Sequence, residues 1–180
     1  MFEKRKSQGR DQPSWGAYAH TWTAKDKRTE VGKFGTLPAE FKDEFDVEYF
    51  HPHPNKDVAF LHRPDGGTLI EADLFFNLPC NEQYSGSSES STSGLFAKIT
   101  NFMLSGPKTL PQGGVTAANA QQRIHWWLMA ASDRKEYAKS VKVVSEWQFE
   151  RIVPCHGDVV EDKANEKWAE LFKWFMDMKV

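Results

Sequence analysis

Two apolar runs frame the chain: Val58-Ala59-Phe60-Leu61 and Thr68-Leu69-Ile70, separated by Pro64-Asp65-Gly66-Gly67. Proline presets φ for a turn and glycine accepts positive φ, so the pattern predicts a β-hairpin. Before it, Val47-Glu48-Tyr49-Phe50 alternates as a strand does, while Phe41 and Phe45, four apart, predict a short helical turn over 37–46. After it, 74–79 is apolar and closed by Pro79, and the Gly/Ser-rich tract 85–94 has no side chains to build a core, which predicts a mobile loop. An apolar helix is expected over 95–105, broken by Gly106-Pro107 and by Pro111-Gln112-Gly113-Gly114. Strong helix formers over 116–131 carry an apolar face of Ile124, Trp127, Leu128 and Ala131. Asp133 is placed to cap a second helix, with Tyr137, Val141 and Val144 inward. A short strand over 149–154 follows, and Asp162 would cap a last helix with Trp168, Leu171, Phe172, Trp174 and Phe175 as its stripe. Strands, two helices, a strand and a helix make an α/β layered domain over 37–180.

Composition narrows this picture. At 180 residues, with 39% apolar and 13% aromatic side chains, the chain can build one real core. A mean hydropathy of -0.63 and the lack of any apolar run near ~20 residues argue against a membrane span. The opening MFEKRKSQGR has no apolar stretch of the kind a secretion signal needs, and Cys80 and Cys155 lack zinc-finger spacing. A cytoplasmic protein with free thiols is the expectation. Residues 1–35 hold eight Lys/Arg against four Asp/Glu, a net of +4, so the remainder carries -6 of the chain's -2. Residues 1–36 thus form a basic arm without a sustained period. Such arms are more often solvated than bound to phosphate backbones, so nucleic acid is not the expected partner.

Candidate chemistry gathers where the strands end. His51 and His53 each precede a proline, which favours extended geometry, and in an extended chain residues two apart point the same way. Asp73 stands where the second hairpin strand runs out, and the hairpin brings it back toward the histidines. His156 lies in Pro154-Cys155-His156-Gly157-Asp158, with Asp158 as a carboxylate able to orient it or relay a proton. Each has a plainer reading: a stiffened loop, a strand exit, a strand-edge cap. His125, among Trp126 and Trp127, reads as a packed, hydrogen-bonded core histidine.

In order, the marks are His53 with Val58 five residues on, Asp73 after Thr68-Leu69-Ile70, and His156-Gly157 after a short strand. This series resembles the second half of the metallo-β-lactamase fold. The closer likeness is to its DUF4336-like branch of fungi and bacteria, carried by NKDVAFLHRPDGGTLIEADLFFNLP, EQYS, and the pattern Trp147, Phe149, Arg151, Ile152, Val153, His156, Gly157. It covers roughly residues 45–180.

The resemblance implies a partial αββα sandwich, a mixed sheet with C-terminal helices. It implies His53, Asp73 and His156 as ligands of zinc (or iron), with His51 as a further donor and Asp73 and Asp158 in catalytic roles. The activity implied is hydrolysis of a small-molecule ester, lactone or phosphoester by metal-activated water. The fold's usual His-x-His-x-Asp-His motif has no counterpart in residues 1–45, where His20 is the only histidine. Low metal occupancy and a sheet face left uncovered, open to homo-oligomer formation, are therefore expected of a truncated or divergent relative. The alternative is a non-catalytic binding or assembly module that keeps the fold but not the full metal site.

Overall fold

The computed structural model describes residues 41, 43–88, 90–106 and 117–180, with 117–119 as backbone alone. The basic arm expected over 1–36 lies outside the described residues, as do Pro107 and the break over 111–114.

Four strands form one sheet: β1 (Phe45–Phe50), β2 (Asp57–His62), β3 (Thr68–Glu71) and β4 (Arg151–Pro154), in that spatial order. β1–β2 and β2–β3 pair antiparallel and β3–β4 parallel. The β2–β3 hairpin is the one the sequence predicts, its turn closed by Gly67 N–H donating to the Pro64 carbonyl at 3.1 Å. A parallel neighbour needs a crossover. Here the crossover holds α1 (Leu95–Leu104), α2 (Ala117–Ile124), a π-helical turn (His125–Met129) and α3 (Arg134–Ser145). α4 (Ala164–Met176) closes the chain. The architecture is α/β, a four-strand mixed sheet with C-terminal helices.

Period-2 alternation sorts the sheet's faces. Ala59, Leu61, Leu69 and Ile152 are buried on one face, beneath Tyr137, Val141 and Val144 of α3 and Trp168, Leu171, Phe172 and Phe175 of α4. On the other face register aligns Phe60, Ile70 and Val153, and the last two stay 39% and 37% exposed. A shallow groove of about 450 Å³ runs there, lined in part by Val58, Phe60, Ile70, Ala72 and Cys155.

Three local expectations are corrected. Phe45 opens β1, paired with His62, instead of ending a helical turn. The helix begun at Ala117 gives way at His125 to the π-turn, where Ala130 N–H reaches back five residues to the His125 carbonyl at 2.9 Å. Trp127 and Leu128 are 69% and 62% exposed, while Gln121, Gln122 and His125 are buried. Asp162 does not cap α4: Lys163, in left-handed geometry, occupies the cap, and Asp162 pairs with Lys167 at 2.7 Å. The Gly/Ser tract, of which residue 89 is not described, forms exposed turns held by local bonds such as Ser87 N–H to the Tyr84 carbonyl at 2.9 Å. Asp133 does cap α3, its side chain accepting from Glu136 N–H at 3.0 Å.

Candidate functional site

One end of the sheet collects the titratable residues because of strand polarity. β1 ends and β2 begins there, Phe50 opposite Asp57; β3 and β4 both end there, Glu71 beside Pro154. Two residues beyond those parallel ends stand Asp73 and His156. The carboxyl ends of parallel strands are where open α/β sheets bind ligands.

The His156 end is locked by its neighbour. Gly157 has φ +118° and forms a parallel bridge with Asn77, and a Cβ there would fall 2.2 Å from the Asn77 carbonyl carbon and oxygen. No side chain fits. Asn77 N–H donates to the His156 carbonyl at 3.0 Å, and the imidazole stacks on Phe76 with centroids 5.8 Å apart. Its Nε2 then meets Asp73 Oδ1 at 3.3 Å, with the side chains 54% and 21% exposed.

Asp73 is held from two more directions. Asn55 Nδ2 donates to its Oδ2, and its own N–H donates to Asp57 Oδ2 at 2.6 Å. Asp57 is buried, which raises its carboxyl pKa against the lowering effect of that backbone bond. Glu71, fully buried, keeps its proton far above the usual carboxylate range through desolvation, although Oε2 accepts from Leu74 and Phe75 N–H at 2.7 and 3.0 Å.

His53 is fully buried behind this rim. Its Nδ1 accepts from Asn55 N–H at 3.3 Å, and Nε2 has no partner among the described residues. Burial lowers its pKa, opposed by the charges of Asp57 and Asp73. His51 does not face the same way. The backbone coils here, with His53 N–H on the Phe50 carbonyl and Lys56 N–H on the His53 carbonyl, both at 2.9 Å. The extended geometry expected of His-Pro-His-Pro is thereby lost. The His51 ring lies 6.1 Å from Tyr49, and its carbonyl takes the Lys56 ammonium at 2.7 Å. Asp158 is corrected too. Its carboxylate accepts from Asn81 Nδ2 and Glu82 N–H, each at 2.8 Å, and the acid beside His156 is Asp73.

Two atoms bound to one tetrahedral zinc at ~2.0–2.1 Å lie about 3.3–3.4 Å apart. Asp73 Oδ1 and His156 Nε2 have that spacing. The third donor differs: an imidazole accepting at Nδ1 carries its neutral-state proton on Nε2, so His53 as placed offers a donor and not a lone pair. Among the described residues, no group of three or more His, Cys, Asp or Glu is arranged to hold a metal ion. The spacing of Asp73 and His156 is equally that of a direct imidazole–carboxylate contact, and the described residues do not complete a metal site around it.

Sequence reasoning missed Asn55, Asp57 and the His125–Tyr137 pair. Asp57 and Glu71 had one legible signal, an acid in phase with inward residues of its strand, Asp57 with Ala59 and Glu71 with Leu69. Among the described residues no helix is long and apolar enough to cross a membrane. A scan against protein-family models, a search of curated proteins and a search of solved structures each returned no match.

Proposed function

We propose that this rim is a weak divalent-metal site in a divergent metallo-β-lactamase-like protein, a hydrolase of an ester, lactone or phosphoester. The observation that carries the reading is the meeting of Asp73 Oδ1 and His156 Nε2 at 3.3 Å, from residues 83 apart in the chain, at the ends of parallel strands. Asp73 and His156 would hold the ion, zinc or iron. When bound, it would polarise a substrate carbonyl or phosphoryl oxygen and lower the pKa of water toward about 7. The chain's own part is positional. Asn55 and Asp57 fix Asp73, Phe76 and Gly157 fix His156, and the half-open rim admits a substrate from solvent.

Zinc titration of protein purified without added metal tests this. Stoichiometric binding is expected in the parent and lost in Asp73→Ala and His156→Ala; a parent that takes up no zinc retires the reading. The rival, a non-catalytic assembly module, is favoured by the engagement of His53 Nδ1, which leaves the ligand set short of three. It supposes self-association through the face bearing Phe60, Ile70 and Val153. Light scattering of a concentration series would find a dimer, and a strict monomer would count against it.

A further inference from the structure

We propose that α1 is a membrane-surface helix, which lays its outer flank on the headgroup layer of an anionic bilayer. Its amphipathicity is inverted. The flank turned to the fold carries Ala97, Thr100, Asn101 and Leu104, all half-buried. The flank turned to solvent carries Leu95, Phe96, Ile99, Phe102 and Met103, with Phe96 and Phe102 83% and 67% exposed. Hydrogen bonds hold the helix this way round. Asn101 Nδ2 donates to the Ser91 carbonyl at 3.1 Å, Ser105 Oγ to the Leu78 carbonyl at 2.9 Å, and Gln121 Nε2 of α2 to the Ser105 carbonyl at 3.3 Å. An apolar stripe of this kind facing water marks a docking surface, and two features choose a lipid layer over a protein. The charge has one sign: the charged side chains of α1 and α2 are Lys98 and Arg123, both exposed, while the whole chain carries -2. Basic residues beside exposed Phe and Leu are what anionic headgroups attract. The stripe is also small. A stable dimer buries about 800 Å² and roughly 20–30 residues a side, whereas a lipid layer takes up each side chain singly. At ten residues, α1 can lie on a bilayer and is too short to cross one.

The test uses the full chain and co-sedimentation with two kinds of vesicle: phosphatidylcholine alone, and a seven-to-three mixture of phosphatidylcholine and phosphatidylserine. The parent should sediment with the mixed vesicles. Lys98→Gln should bind them about 5-fold more weakly, the share of one cation near an anionic surface, with its weaker binding to phosphatidylcholine unchanged. The double variant Phe96→Ser/Phe102→Ser loses two exposed rings, so its melting temperature should match the parent's while its binding to the mixed vesicles falls at least ~10-fold. A parent that stays in solution beside both vesicles would overturn the proposal. So would parent-like binding to the mixed vesicles by either variant. A parent dimer in light scattering that the double variant loses, with no vesicle binding by the parent, would assign the stripe to a second copy and overturn the lipid reading as well.

Discussion

His156 and His125 each have one polar partner and an aromatic neighbour, and they could hardly be used more differently. His156 is half open, against Asp73 and Phe76. His125 is sealed, its Nδ1 3.0 Å from the Tyr137 hydroxyl and its ring 4.9 Å from Phe172. Burial, with a smaller effect from His53, lowers the His125 pKa to about 3, so it stays neutral and acts as a packing group. The contrast teaches that a histidine's chemistry is decided by what surrounds it: one ring lies half open to solvent, the other is sealed from it.

The sealed layer should therefore bear the larger stability effects. Phe172→Ala removes a ring packed within 4.3 Å of Trp168 by centroid and against His125 and Phe175. A loss of about 3–5 kcal/mol is expected in urea unfolding. A loss below ~1 kcal/mol would mean that this layer collapses freely and is not the packed support assumed here. Tyr137→Phe is gentler, keeping the ring but leaving His125 Nδ1 without its partner; about 1–3 kcal/mol is expected by the same measurement.

His125 also imposes a pH dependence. Its folded pKa of about 3 lies below the ordinary 6.5. Between those values the unfolded chain binds a proton that the folded chain refuses, so its contribution to stability is lost as pH falls through the window. His53 shifts in the same direction, whereas Glu71 and Asp57 have raised pKa values and oppose it. Parent and His125→Phe should be compared at each pH. The parent's relative stability should fall toward acid by at most about 1.4 kcal/mol per pH unit. A flat difference would show that His125 is not held neutral by burial.

The same contrast explains what could be read in advance. The packing of His125 was read from its tryptophan neighbours, and the β2–β3 hairpin and the inward faces of α3 and α4 follow from local periodicity, which needs no knowledge of the rest of the chain. So does the placing of Asp73 and His156 at strand ends. The π-turn at His125 was hidden because one extra residue in a turn changes no residue type. Phe45 was misread because its partner, His62, lies 17 residues away. The coil at His51–His53 overrode the extended preference of residues before proline by closing two backbone hydrogen bonds. Asn55 carried no signal beyond opening the run that bears the family likeness. An asparagine beside a proline is ordinary turn chemistry until the fold brings Asp73 to its amide.

The smallest stability effects belong to the rim, and they sharpen the comparison most. His156 is more than half exposed, so its contact with Asp73 is an ion pair screened by water when His156 is protonated, and such pairs contribute about 0–1 kcal/mol. His156→Ala should accordingly shift unfolding free energy by less than ~1 kcal/mol while removing zinc uptake. Asp73→Ala should behave alike, because the main-chain bond from residue 73 to Asp57 survives the substitution. If either variant instead lost as much stability as Phe172→Ala, the rim would be part of the framework. The separation between a sealed supporting layer and an open chemical edge, on which the metal reading depends, would then be gone.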